Sequence, residues 1–173
     1  MRNVLIVGGG GREHALGWKC SQSKTVDKIY YAPGNGGTRN NISLKPGDFK
    51  GLARFAEEKS CFTVVGPEDP LAAGIVDYFQ DKNLPIFGPT KKAANLEASK
   101  RWAKEFFKKY GIPTAGYFTT TDPEKAKDYL VEKGAPIVVK ANGLSAGKGS
   151  VVCETVEEGI QAIERIMVSK VFG

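Results

Sequence analysis

The sequence predicts an α/β protein: an open parallel sheet with helices on both faces, followed by an incomplete α+β piece. Three features carry that expectation. Short β-branched runs ending in glycine or Gly-Pro alternate with helix-sized segments as far as Gly88, the order that gives parallel strands joined by crossover helices. After Pro89 the alternation gives way to two strands flanking a glycine-rich loop. The length of 173 residues, with 41% apolar and 25% charged side chains, suits one packed domain of roughly 150 residues plus part of another.

The elements follow in order. Asn3 to Val7 is a continuous apolar run that meets four glycines, as a strand buried on both faces would. Gly11 to Ser21 reads as a helix, with Ala15, Leu16 and Trp18 as its apolar surface. Lys28 to Ala32 is the second strand, stopped by Pro33-Gly34-Asn35-Gly36-Gly37. Asp48 is placed to cap a helix through Leu52, Phe55 and Ala56. Phe62 to Val65 is the third strand, Leu71 to Asp81 a helix, and Pro85 to Gly88 a short fourth strand.

Ser99 then caps a helix whose apolar stripe is Trp102, Ala103, Phe106, Phe107 and Tyr110, ended by Gly111 and Pro113. Tyr117 to Thr120 is the next expected strand, and Pro123 opens a helix through Leu130. Pro136 to Lys140 and Ser150 to Cys153 are strands. Thr155 caps a last helix carrying Val156, Ile160, Ile163 and Met167, of which Ile160, Ile163 and Met167 would be exposed if nothing covers them. The division is expected within 89–115, giving an α/β domain over residues 1–100 and a second piece over 101–173.

Composition excludes several function classes. The longest apolar run, Val4 to Val7, is too short to cross a membrane, and no secretory leader precedes it, so a cytoplasmic location is expected. Cys20, Cys61 and Cys153 are far apart and form no C-x-x-C pair, and His14 is the single histidine. That argues for reduced thiols and against a zinc site, and no metal ligands are expected within this chain. The net charge is +6, but seven basic and two acidic residues lie between Lys91 and Lys109. One helix-sized region holds nearly all the excess, which fits a local polyanion site better than a nucleic-acid surface.

Ligands of open parallel sheets bind at the carboxyl ends of the strands, and three such ends here carry unusual chemistry. The first is Gly8-Gly9-Gly10-Gly11-Arg12-Glu13-His14, whose glycines and helix start favour an anion. As a dinucleotide fingerprint it fails, because Glu13 occupies the third glycine position and no acidic residue ends the second strand; both count against NAD. The second, Pro33-Gly34-Asn35-Gly36-Gly37-Thr38, reads equally as a phosphate or sugar cradle and as a tight turn. In the third, Gly66-Pro67-Glu68-Asp69-Pro70, the carboxylates either cap the following helix or orient an amine or sugar hydroxyl.

The second piece holds Lys140-Ala141-Asn142-Gly143-Leu144-Ser145-Ala146-Gly147-Lys148-Gly149. The spacing and the strand–loop–strand context differ from a Walker A loop. A phosphate-covering flap is the sharper reading and a solvated hairpin turn the plainer one. Lys100, Lys104 and Lys108 form one stripe at i, i+4, i+8, either a wet helix face or part of the same site, with Lys104 singled out.

Taken together, Val4 to Ala15, Ala32 to Thr38, Val65 to Gly74, Phe87 to Thr90, Ser99 to Lys104, Gly111 to Thr114 and Val139 to Gly149 closely resemble the N-terminal portion of the glycinamide ribonucleotide synthetase family of ATP-grasp ligases. The resemblance spans essentially the whole chain. It implies a Rossmann-like pre-ATP-grasp domain and a partial ATP-grasp domain, with phosphoribosylamine, glycine and ATP as ligands and Mg2+ as metal. Glycine would be activated as an acyl phosphate, which the amine of phosphoribosylamine attacks, in purine biosynthesis. By the same resemblance, Gly10, Gly11, Arg12, Glu13, Pro33, Gly34, Asn35, Gly37, Thr38, Gly66, Pro67 and Glu68 would bind substrate. Lys104 and Lys140 would meet ATP phosphates, with the loop from Gly143 to Gly149 closing over them.

Gly36 and Asn142 stand where the family more often has Ala and Asp. The family's ligases are more than twice as long, with metal ligands and adenine pocket downstream. The chain is therefore expected to be a truncated N-terminal portion, inactive alone, with the C-terminal half as its partner. Alternatives are another ATP-grasp carboxylate–amine ligase or carboxylase, and a non-catalytic sugar-phosphate-binding module.

Overall fold

A computed structural model of the chain describes residues 1–145 and 148–171. The chain divides into two compact units, Met1–Asn95 and Leu96–Gly173.

The first unit is built on β1 (Arg2–Gly8), β2 (Val26–Pro33), β3 (Cys61–Val65) and β4 (Ile86–Phe87). These strands form one sheet in the order β2-β1-β3-β4, parallel in every pair. The alternation of side chains along β1 divides the core in two. Leu5 and Val7 point to one face, where Leu52, Ala53, Ala56, Ile75, Val76 and Phe79 close over them. Val4 and Ile6 point to the other, with Tyr31 and the partly buried Cys20, Val26, Ile29 and Val64. Both faces of β1 are therefore covered, as its unbroken apolar run requires. Burial pushes the Cys61 thiol up to about 11, so this cysteine belongs to the core chemically as well as spatially.

Helix α1 (Gly11–Ser21) docks differently from the sequence expectation. Its buried residues are Glu13 and Gly17, while Leu16 and Trp18 are 37% and 61% exposed and Ala15 is also exposed. Gly17 is the reason. A Cβ there would collide with the Tyr31 hydroxyl, so the helix approaches β2 through a side chain-free spot and its larger apolar residues turn outward. Helix α2 (Phe49–Glu58) is capped by Asp48, whose carboxylate accepts from the Gly51 N–H at 2.9 Å. The single helix expected from Leu71 to Asp81 is two, α3 (Glu68–Ala73) and α4 (Ile75–Gln80). They break at Gly74, whose φ of +99° is a left-handed conformation that ends a helix. Helix α5 (Lys91–Ala98) has no counterpart in the sequence reading. Its first amide donates to Asp77 Oδ2 at 2.6 Å.

In the second unit, α6 (Lys100–Lys109) starts at Ser99, whose Oγ accepts from the Trp102 N–H. Helix α7 (Pro123–Lys133) is capped by Asp122. Strands β5 (Ile137–Lys140) and β6 (Ser150–Cys153) pair antiparallel, Val138 opposite Val152 and Lys140 opposite Ser150. Helix α8 (Val156–Ile163), capped by Thr155, runs on into a π-helical turn over Glu164–Val168. It packs close to α7: a Cβ on Gly159 would lie 2.6 Å from the buried Leu130. Ile163 is consequently 3% exposed and Ile160 and Met167 are half-buried, which corrects the expectation of a bare apolar face. Lys127 bridges α7 to Glu164. Residues 117–120 form no strand, because a strand needs a neighbouring backbone to take its hydrogen bonds and none among the described residues pairs with this stretch. Phe118 instead stacks on Tyr129, centroids 4.5 Å apart.

Candidate functional site

Register brings the three glycine-bearing loops of the first unit to one rim. Gly8 pairs with Pro33 across β1 and β2, and Val7 with Val65 across β1 and β3. The chain leaves all three strands at the same level, on the side of the sheet where β1 lies between β2 and β3. That is a topological switch point, where adjacent crossovers diverge and leave a crevice.

The loop after β1 is organised around Glu13, which is 4% exposed. Its Oε2 accepts from the Gly10 N–H at 2.6 Å, and its Oε1 accepts from Arg12 Nε at 3.1 Å. Arg12 Nη2 reaches on to Glu68 Oε2 at 3.2 Å, tying the loop after β1 to the start of α3. Hydrogen bonds to Glu13 and then Glu68 hold the guanidinium above its ordinary pKa. The Glu68 carboxyl is held below its own range, first by its backbone amide and then by Arg12. Arg12 remains 60% exposed, with only two of its five N–H donors engaged in these bonds.

The loop after β2 is a self-bonded turn. Thr38 N–H donates to the Asn35 carbonyl at 3.2 Å, Gly37 N–H to Asn35 Oδ1 at 2.8 Å, and Asn35 N–H to Thr38 Oγ1 at 2.7 Å. Asn35 Nδ2 donates across to the Gly9 carbonyl at 3.0 Å, and Gly34 N–H to the Gly8 carbonyl at 3.2 Å. The first two loops are thereby stitched together. His14 lies against this turn, since a Cβ on Gly37 would be 2.6 Å from its Cε1. Gly66 and Pro67 complete the rim, and Gly66 faces the Glu13 carboxylate. The structure thus brings together all twelve residues singled out in the first unit, from Gly10 to Glu68.

In the second unit, β5 and β6 present one inward and one outward face. Ile137, Val139, Val151 and Cys153 alternate with Val138, Lys140, Ser150 and Val152, which are exposed. Val138 and Val152 are 46% and 64% exposed and stand directly opposite each other. A bare apolar pair beside a lysine can hold a flat heterocycle next to an anion. Sequence reasoning missed both valines, although their alternation with Lys140 and Ser150 carried the signal.

The loop between these strands begins as a continuation of the ladder. Ala141 N–H donates to the Gly149 carbonyl at 2.7 Å, and Lys148 N–H to the Ser145 carbonyl at 2.8 Å. Gly143 has φ +98°, and Leu144 is half-buried. Ala146 and Gly147 lie outside the described residues. Asn142 Oδ1 accepts from the Arg101 N–H at 3.1 Å and from Ser99 Oγ at 3.2 Å, so the loop is anchored on the first turn of α6. Lys100 Nζ donates to the Gly143 carbonyl at 2.8 Å. Lys104 turns elsewhere: its Nζ donates to Thr114 Oγ1 at 2.7 Å and the Ala115 carbonyl at 2.9 Å, and sits 5.4 Å from the Tyr117 ring centroid. The sequence reading included Lys100 in the basic stripe but singled out Lys104, whereas Lys100 is the one that meets the loop. Among the described residues, no group of three or more His, Cys, Asp or Glu could hold a metal ion.

A family model described as phosphoribosylglycinamide synthetase, N domain, matches residues 2–97. A second, phosphoribosylglycinamide synthetase, ATP-grasp (A) domain, matches residues 98–173. The chain belongs to the phosphoribosylglycinamide synthetase family.

Relatives within the family agree. The phosphoribosylamine–glycine ligase of Vibrio vulnificus strain YJ016 is 51% identical over 177 residues, covering 99% of this chain and 41% of the relative. That of Yersinia pestis is 49% identical with the same coverage. The crystal structure of phosphoribosylamine–glycine ligase from Thermotoga maritima superposes with a TM-score of 0.76 at 32% identity, over 98% of this chain and 40% of that one. N5-carboxyaminoimidazole ribonucleotide synthetase from Thermotoga maritima, with a TM-score of 0.67 at 20% identity, shares the fold. The chain spans about two fifths of the length of these ligases. No helix among the described residues is long and apolar enough to cross a membrane.

Proposed function

We propose that this synthetase-family chain is the N-terminal portion of a phosphoribosylamine–glycine ligase. The first unit, Met1–Asn95, carries substrate loops, and the second, from Leu96, carries part of an ATP site. The observation that carries the reading is the convergence of three polar, glycine-bearing loops on one rim of the first sheet, register-fixed by Gly8–Pro33 and Val7–Val65, in a chain that matches both synthetase domains.

In the first unit, Arg12 is the cation that meets the ligand phosphate or carboxylate. Glu68 accepts from a substrate amine or hydroxyl, and the turn 33–38 forms the wall opposite. In the second unit, Val138 and Val152 take one face of the adenine, so that part of a pocket expected wholly downstream lies within this chain, while Lys140, Lys100 and the loop 143–149 meet phosphate oxygens. Lys100 is preferred over Lys104 for this role, because its ammonium already sits at the loop and Lys104 is committed to Thr114 and Ala115. ATP supplies the phosphoryl group that activates a carboxylate towards an amine. The metal electrostatics that such a transfer uses have no ligand set among the described residues, and no step through a metal is assigned to this chain.

Calorimetric titration with ribose 5-phosphate, a stable analogue of phosphoribosylamine, tests the reading. Saturable binding weakened about tenfold or more by Arg12→Ala is expected, the cost of one charge-assisted contact. Binding of NAD with no sugar-phosphate signal would contradict it.

A further inference from the structure

The glycine-rich loop after β1 already holds an anion of its own. The Glu13 carboxylate accepts the Gly10 N–H at 2.6 Å, an amide that an open glycine loop would offer to a ligand phosphate. Three glycines crowd that carboxylate. A Cβ on Gly8 would lie 2.6 Å from Glu13 Cγ, one on Gly10 would lie 2.8 Å from Oε2, and one on Gly66 would overlap Oε1. Glycine at these places makes room for Glu13 rather than for a bound pyrophosphate. Glu13 also occupies the third glycine position of the dinucleotide fingerprint, and its other oxygen aims Arg12 at Glu68.

The geometry points to Glu13 as a specificity-determining and positioning residue: its buried carboxylate closes the Gly10 amide to external anions and holds the Arg12 guanidinium towards Glu68 at the rim. The inference rests on the reading of the rim as a sugar-phosphate site, and narrows which of its atoms reach the ligand. It separates this loop from dinucleotide-binding loops by one side chain. It also removes Glu13 and the Gly10 amide from the set that touches substrate, although both stay within the site.

Amide hydrogen exchange at Gly10, followed by NMR in the 173-residue chain, tests this with inorganic pyrophosphate and ribose 5-phosphate as probes. In the wild type, Gly10 is expected to exchange slowly whether or not either probe is added. Glu13→Ala should speed its exchange about tenfold or more, the loss of a charge-assisted hydrogen bond, and added pyrophosphate should slow it again. Glu13→Gln, which keeps a neutral acceptor and the side-chain shape, should fall between the two and guards against a variant that fails to fold. A purely structural role would lose protection in Glu13→Ala without any gain of pyrophosphate binding. Slowing of Gly10 exchange by either probe in the wild type, or unchanged exchange in both variants, would overturn the inference. Absence of ribose 5-phosphate binding in the wild type bears on the proposed function alone, since the pyrophosphate arm still decides the role of Glu13.

Discussion

Among single residues, Glu68 shows how charge is set at the rim. Its carboxyl lies below the ordinary carboxylate range because its own backbone amide and Arg12 both favour the charged form. A carboxylate with a depressed folded-state pKa stabilises the fold fully above its unfolded value, about 4.3, and that contribution disappears as pH falls through the folded value. Glu68→Gln should therefore reduce stability at pH 7 and have no effect in strong acid. With Glu68 44% exposed and Arg12 60% exposed, the difference at pH 7 should not exceed about 1 kcal/mol. Denaturant titrations at several pH values measure it, and a pH-independent difference would mean that the ion pair does not set the charge state. Sequence spacing could place Arg12, Glu13 and Glu68 at strand ends. It could not show that Glu13 folds back onto Gly10, because that depends on the space left by Gly66, which is 53 residues further along the chain.

Among elements, α1 is legible in its bounds but not in the face it buries. Its start and end were readable from Gly10, Gly11 and the loss of pattern after Ser21. Its buried face was not, because hydrophobicity points to Leu16 and Trp18, whereas the contact is made by a missing side chain. Gly17→Ala tests that contact directly. The added methyl would meet the Tyr31 hydroxyl, and overpacking of that kind should destabilise the first unit by about 1–3 kcal/mol. An unchanged midpoint would show that the helix can shift outward at no cost. Helix α6 gives the opposite expectation. Asn142 caps its first turn in a stretch crowded with Lys100, Arg101 and Lys104. Asn142→Asp keeps the acceptor and adds a negative charge at a helix N-terminus, which should raise stability by about 0.3–1 kcal/mol at low salt and less at high salt. The caps at Asp48, Ser99 and Thr155 follow local rules and make three helices legible, while α7 is legible from Pro123 at its first position. Residues 117–120 failed as a strand for the converse reason: pairing is a property of two segments, and only one is present in the local pattern.

At the scale of the whole molecule, the parallel sheet and the change of character after Pro89 were both readable. The alternation of element types constrains topology more strongly than any single boundary. The chain divides at Asn95 and Leu96, and the synthetase N and ATP-grasp matches meet at residues 97 and 98. The apolar pair Val138 and Val152 shares a strand face with Lys140 and Ser150, a period-2 signal in the sequence, but only burial shows that this face is bare. Under the proposed function, one unit takes the sugar phosphate and the other takes the nucleotide. Amide chemical-shift mapping of the chain tests it most directly, with ribose 5-phosphate added first and Mg-ATP second. Ribose 5-phosphate is expected to shift residues 33–38 and 66–68, and ATP residues 100, 138–145 and 148–152. Ribose 5-phosphate acting on the second set, or ATP acting on the first, would contradict this assignment.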